Sequence, residues 1–364
     1  VVRTVAVIML AGFVATAAGR AAPGPPTEEG MIPYLAPQRL VDVEKGRALN
    51  LVCLGEGSPT VILSAGLSGW SYAWWLVQPA LAQRTRVCAW DRAGYGFSSP
   101  SAQQQDIVHT TGDLERALGE AGIQGPYVMV GHSFGGYESL RFADLHRQSV
   151  VGMVLVDPDI PDRSAVDERV APQFAALSLI FQQQSVKRLR DCAAGLRAGT
   201  LERDTPPFAQ CTASPVPDFF PRLKAAIARL NADPARLLTQ ASLENEHATG
   251  NSGREVINAR RHYGDMPLIV LTAGRDEQSA LSSLSHLPPD TPGAGTPAEL
   301  ARLREDVARF IRDGWVPAHE AYAALSTRGR HELVPESGHN IMVDKPAVVI
   351  SAIVEVVEAS LPVP

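Results

Sequence analysis

Short, almost wholly apolar runs alternate along this chain with segments of helical spacing, and that alternation restricts the possible folds more than any other feature. "RALNLVCLG" (47–55), "TVILSAG" (60–66), "TRVCAW" (85–90), "PYVMVG" (126–131) and "VVGMVLVDP" (150–158) read as strands bounded by turn residues. "WSYAWWLVQPALAQR" (70–84) reads as a helix interrupted at Pro79. "HTTGDLERALGEAG" (109–122) places Leu114, Leu118 and Ala121 at helical spacing and stops at Gly122. Strands with no polar alternation are buried on both faces, so the expectation is an α/β fold: a mainly parallel sheet flanked by helices. From about Ile160 to about Tyr263 the alternation stops. That stretch is rich in Gln, Arg, Ala and Pro, with helical segments such as "PRLKAAIARLNA" (221–232) and "PARLLTQASLENEHA" (234–248) and no convincing strand. "MPLIVLTAGRDE" (266–277) restores the strand pattern, "AELARLREDVARFIRDGW" (298–315) is helical, and residues 330–359 close with strand, loop and helix. The expected organisation is a core in two parts, 23–159 and 264–364, carrying a helical cap at 160–263.

Charge and cysteine content narrow the function classes. Net charge is −6 and the basic residues are scattered, so the basic stripe of a nucleic-acid-binding surface is missing. Arg3 precedes "TVAVIMLAGFVATAA" (4–18), the length of a signal-peptide apolar region and short for a bilayer span. Small residues at Ala15, Ala17 and Ala18 suit cleavage between Ala17 and Ala22, so residues 1–22 are expected to be a leader; an uncleaved anchor is the alternative. The first residue is Val rather than Met, as a non-ATG start or a trimmed end would give. An exported protein, secreted or periplasmic, with no stable membrane span after cleavage is expected. Cys53, Cys88, Cys192 and Cys211 form no CxxC pair, and nearby histidines lack zinc-finger spacing, so no metal site is expected. An even count in an exported chain favours disulfides, with three pairings open.

"VMVGHSFGGYESL" (128–140) leaves a buried strand and enters a helix through three glycines, which suit neither element. A serine on a sharp strand-to-helix turn explains them. Close approach of strand and helix leaves no room for side chains two residues before and after the serine, here Gly131 and Gly135 around Ser133. A serine hydroxyl needs a base, and the base needs a group to orient it. His339, in the loop of "VPESGHNIMVDKP" (334–346), is the expected base; His132 is read as packing. Asp276 ends the strand "PLIVLTAGRDE" and is the expected acid, because its strand leads on toward the His339 segment; Asp157, ending "MVLVDPD", is the competitor. For the oxyanion hole, the N–H of Phe134 follows the nucleophile, and Leu67 N–H in "VILSAGLSGW" (61–70) is the second candidate donor. Trp70 and Tyr72, with Trp74 and Trp75, either line an apolar substrate site or pack the core.

With "SAGLSGW", "WDRAGYGFS", "GHSFGG", "VLTAGRD" and "SGHNIMVDKP" in that order, the chain resembles the α/β-hydrolase fold superfamily over some 200 core residues. The resemblance implies a serine hydrolase with a helical lid, similar to esterases and proline iminopeptidases. Ser133 attacks an acyl carbon, His339 moves the proton, and an aspartate holds the imidazole, with no metal or organic cofactor. A small-molecule ester is the expected substrate; amide and lactone cleavage use the same constellation, and a hydrolase-fold binding protein is a further reading. Many members carry His-Gly at the oxyanion loop where this chain has Ala65-Gly66, so a histidine hydrogen bond to that loop is lost. Asp91 and Arg92 fall in what is a structural loop of the family. The resemblance also implies a Cys53–Cys88 bridge across neighbouring strands and a Cys192–Cys211 bridge within the lid. Oligomeric state is not indicated.

Overall fold

A computed structural model describes residues 28–213, 216–218, 220–274 and 296–361; the leader expected at 1–22 lies outside these residues. Eight strands form one sheet: β1 (Arg39–Glu44), β2 (Arg47–Leu54), β3 (Thr60–Ser64), β4 (Val87–Trp90), β5 (Tyr127–His132), β6 (Val150–Val156), β7 (Leu268–Gly274) and β8 (Gly329–Pro335). Their spatial order is β1-β2-β4-β3-β5-β6-β7-β8. β1, β2 and β4 pair antiparallel, and β4 through β8 are parallel. This is the mainly parallel sheet that the alternation implied, in the α/β-hydrolase arrangement that the resemblance implied.

Both faces of the sheet are covered, and the strands divide their side chains between two cores at a period of two. Ile62, Met129, Met153, Leu155 and Val270 join one core. Val61, Leu63, Val128, Val130, Val154 and Ile269 join the other, under the C-terminal helix Pro346–Ala359. That division explains the unbroken apolar strands.

Two local expectations are corrected. The segment 70–84 is not one interrupted helix but a 3₁₀ turn, Ser71–Trp74, followed by a short helix α1 (Gln78–Leu81). Pro79 lies in the first turn of α1, where its missing N–H has no intrahelical partner to lose. The sheet also begins earlier than expected, with β1 as an edge strand. Only Val41 and Val43 of β1 face inward, while Leu40 is 54% exposed, so its apolar signal is weak. Elsewhere the local chemistry holds. α2 (Ile107–Glu120) starts on Asp106, which accepts from His109 N–H, and ends before Gly122 at φ 66°.

Between β6 and β7 the described residues are helical: α4 (Arg163–Val170), α5 (Pro172–Ala198), α6 (Pro206–Thr212), α7 (Pro221–Leu230), α8 (Pro234–Ala248) and α9 (Asn251–Glu255). Disulfides join Cys53 of β2 to Cys88 of β4, and Cys192 of α5 to Cys211 of α6. Both pairings are the ones the resemblance implied. Among the described residues, no helix is long and apolar enough to cross a membrane.

Candidate active site

Parallel strands bring their carboxyl ends to one edge, and ligands of open α/β sheets bind at that edge. There β3 runs into the 65–69 loop, β5 into Ser133, β6 into Asp157, and β8 into the loop holding His339.

Ser133 joins β5 to α3 (Phe134–Leu145) with φ 51° and ψ −122°, a conformation that L residues rarely adopt and that costs on the order of 1–3 kcal/mol. The flanking glycines make it possible. A Cβ on Gly131 would stand 2.2 Å from Gly135 O, and one on Gly135 would stand 2.3 Å from Ser64 O. Both obstacles are backbone, so no side chain larger than hydrogen fits. Ser133 is anchored by its N–H to Val156 O (3.2 Å), and its own carbonyl accepts from Gly136 and Asp159 N–H.

His339 Nδ1 donates to Asp157 Oδ2 at 2.7 Å. The Asp157 carboxylate is fully buried, and its Oδ1 accepts from Ala273 N–H (3.0 Å) and Trp315 Nε1 (2.8 Å). With Nδ1 carrying the proton, the lone pair lies on Nε2, as a base requires. Asp157 thus occupies the orienting position for which Asp276 was favoured; Asp276 itself lies outside the described residues. The deciding geometry is the backbone of Asp157, whose φ of 42° carries its carboxylate across the end of β7 to Ala273. Among the described residues no hydrogen bond joins Ser133 to the His339 ring.

His132, read from the sequence as packing, makes a specific link instead. Its Nε2 lies 2.9 Å from the His339 carbonyl, and the two rings stand 4.6 Å apart. A carbonyl only accepts, so Nε2 holds the proton and Nδ1 is bare. Among the described residues that bare nitrogen is buried without a partner, 2.9 Å from where a Gly66 Cβ would stand. Burial, with the neighbouring His339, pushes His132 down to about 3, so it stays neutral at ordinary pH.

The 65–69 loop is held by Arg92. Its guanidinium donates to Ala65 O (2.5 Å) and Gly66 O (2.8 Å) and forms a bidentate pair with Glu138 of α3 (2.7 and 2.8 Å). It also lies 5.2 Å from the Phe134 ring. In a trans peptide the C=O and the following N–H point opposite ways. Arg92's hold on Gly66 O therefore aims Leu67 N–H away from Arg92. The loop has lost a histidine contact but gained a guanidinium clamp. Among the described residues, neither Leu67 N–H nor Phe134 N–H donates a hydrogen bond within the protein.

A cavity of about 440 Å³ adjoins this loop, lined by Leu67, Trp70, Tyr95, Gln182, Gln240 and Glu244 among others. Trp70 lines it as expected; Tyr72 does not, and instead packs against Trp70 with rings 4.3 Å apart. A larger cavity of about 880 Å³ lies between α4, α5, α8 and α9, lined by Arg163, Asp167 and His247. The smaller one bears on the site because it alone of the two includes Leu67. In the lining of the larger cavity, His247 pairs with buried Asp159 at 2.8 Å, with its ring 6.0 Å from Phe134. Burial raises Asp159, but the charges of His247 and Arg163 outweigh it and hold the carboxyl well below the usual range. Arg92 is scaffold, as the resemblance implied for its loop, whereas Glu244 and His247 are not singled out by the sequence, since their contacts join residues distant along the chain.

Residues 59–187 match the alpha/beta hydrolase fold family. An uncharacterised protein of Schizosaccharomyces pombe is 42% identical over 81 residues, which is 22% of this chain and only 15% of that relative's length. Among solved structures, an esterase from Thermogutta terrifontis is 18% identical with a TM-score of 0.51, covering 86% of this chain and 94% of its own. An N-acyl homoserine lactone degrading enzyme, Est816, is 16% identical with a TM-score of 0.55, covering 87% and 99%. At such identities the likeness is one of fold. Sheet order and matched core agree: the chain has the α/β-hydrolase fold, and its residues 59–187 match that family.

Proposed function

We propose that this protein is an exported serine hydrolase that cleaves a carboxylic ester through Ser133, His339 and Asp157. The observation that carries the reading is the 2.7 Å Asp157–His339 hydrogen bond, at the same sheet edge as a serine held in strained backbone. Ser133 Oγ attacks the acyl carbon as His339 Nε2 takes its proton, while buried Asp157 stabilises the imidazolium. Leu67 and Phe134 N–H receive the oxyanion, aided by the positive end of α3. His339 then gives its proton to the departing alcohol and activates water to release the acid. The Ser133–His339 contact closes in the substrate complex, as such hydrogen bonds often do. The cap at 160–263 sets which acyl or alcohol group enters. Export is supported by the apolar leader and by two disulfides, which persist in oxidising compartments.

A fluorophosphonate probe, followed by peptide mass mapping, tests the nucleophile: labelling at Ser133, abolished in Ser133→Ala, is expected. p-Nitrophenyl esters of graded chain length, assayed beside aminoacyl anilides, test the bond. Turnover confined to the anilides would replace ester hydrolysis with amide cleavage.

A further inference from the structure

The 440 Å³ cavity beside Leu67 holds unused hydrogen-bonding groups among an otherwise largely apolar lining. Among the described residues, Trp70 Nε1 and Tyr95 Oη are both buried without a partner, in residues only 3% exposed that line the cavity. Glu244, on α8, faces the same space and accepts from Ser185 Oγ (2.7 Å) and Ser68 Oγ (3.3 Å). A carboxylate has about four acceptor positions, so Glu244 retains unused ones. Burial raises the Glu244 carboxyl, and the same carboxylate adds to the burial that raises Tyr95, which puts the two groups within each other's field. Ser68 is the neighbour of Leu67, so this polar cluster sits one residue from the candidate oxyanion donor.

Two unpartnered donors and an acceptor with spare capacity in the lining of one cavity select among ligand chemistries. An alkyl group leaves Trp70 Nε1 and Tyr95 Oη desolvated and unpaired, at about 1–3 kcal/mol each, and leaves the spare acceptor positions of Glu244 unfilled. An ammonium serves Glu244 but cannot accept from Trp70 or Tyr95, and Arg188, also lining the cavity, opposes a second cation. A carboxylate meets Glu244 as a like charge. A hydroxyl both donates to Glu244 and accepts from Tyr95 or Trp70. We infer that this cavity binds a neutral, hydroxyl-bearing part of the substrate, through Glu244, Tyr95 and Trp70. The inference rests on the serine-hydrolase reading and adds the substrate class to it.

Two matched pairs of esters test it and locate the hydroxyl. 2,3-Dihydroxypropyl butyrate against propyl butyrate probes the alcohol side; methyl 3-hydroxybutyrate against methyl butyrate probes the acyl side. In at least one pair the hydroxylated ester should be preferred tenfold or more in kcat/KM. That ratio should fall toward one in Tyr95→Phe, which removes an unpartnered hydroxyl and so breaks no bond of the free protein, and in Glu244→Gln. Binding of the same compounds to Ser133→Ala, measured by calorimetry, reads the cavity without chemistry. Tighter binding of a hydroxylated member, lost on adding Tyr95→Phe, supports the inference even if turnover fails. Equal binding within both pairs, or a preference that survives both substitutions, overturns it while leaving fluorophosphonate labelling of Ser133 to decide the enzyme reading.

Discussion

Ser133 shows at the smallest scale how the site is assembled: a positive φ at one residue, tolerated because the residues two before and two after have no Cβ to collide with backbone. Asp157 also takes a positive φ at the end of β6, without flanking glycines, and there it brings its carboxylate to His339. Asp157→Asn should therefore lower kcat by about 10³- to 10⁴-fold, as loss of the correct imidazole tautomer does elsewhere. Asp276→Asn serves as the comparison, and steady-state kinetics of both variants would settle the assignment; a larger loss in Asp276→Asn would reverse it. Arg92 acts one step back, by holding Ala65 and Gly66 carbonyls. Lysine cannot span both carbonyls and Glu138 from a single ammonium. Arg92→Lys should reduce kcat roughly tenfold or more with KM little changed, because in the proposed mechanism the Leu67 donor serves the oxyanion and not the ground state. A variant that raised KM alone would show Arg92 to be merely structural.

At the level of elements, α8 is tied to the glycine loop of the core by several hydrogen bonds. Arg236 donates to Gly96 O and Ser98 O, both at 2.6 Å, and Gln240 donates to Gly94 O at 2.7 Å. A Cβ on Gly94 would stand 2.8 Å from Thr239, so the glycine loop and the helix fit closely. This anchoring fixes where Glu244 sits. The rest of the cap leans on α5 and on the Cys192–Cys211 bridge, which spans 19 positions. Replacing both cysteines by serine should cost about 3 kcal/mol by the loop-closure argument. Urea unfolding of the double variant against the oxidised parent would show it as a lower midpoint, with Cys53–Cys88 intact by mass. The sequence disclosed α7 and α8 through their apolar spacing, but α5 hides its buried Phe174, Leu177, Val186 and Leu189 among glutamines and arginines.

For the whole molecule, stability should depend on pH through His132. The fold holds this imidazole neutral, pushed down to about 3 from 6.5. Below about pH 6.5 the unfolded chain takes up a proton that the folded chain refuses, so the unfolded state gains. The contribution is complete above about pH 6.5 and is lost as pH falls toward about 3, at up to about 1.4 kcal/mol per pH unit. Between about pH 5 and 6.5, before most carboxylates titrate, a steeper decline in melting temperature is expected for the parent than for His132→Asn. Equal slopes would remove His132 from the account.

The chain's own pattern determined the sheet, the helical interruption after β6, and the tight turn at Ser133. Each follows from spacing over a few residues: unbroken apolar runs, 3.6-residue stripes, and glycines bracketing a serine. The edge strand β1 and the short turns at 71–81 escaped that pattern, since too few of their residues face a core to mark them. The aspartate that meets His339, the guanidinium behind the oxyanion loop, and the meeting of Glu244 with Tyr95 and Trp70 were decided only in three dimensions. Those pairings join residues between 26 and 182 positions apart, and which partner is reached depends on how loops close over the sheet edge. Local periodicity carries no record of that closure.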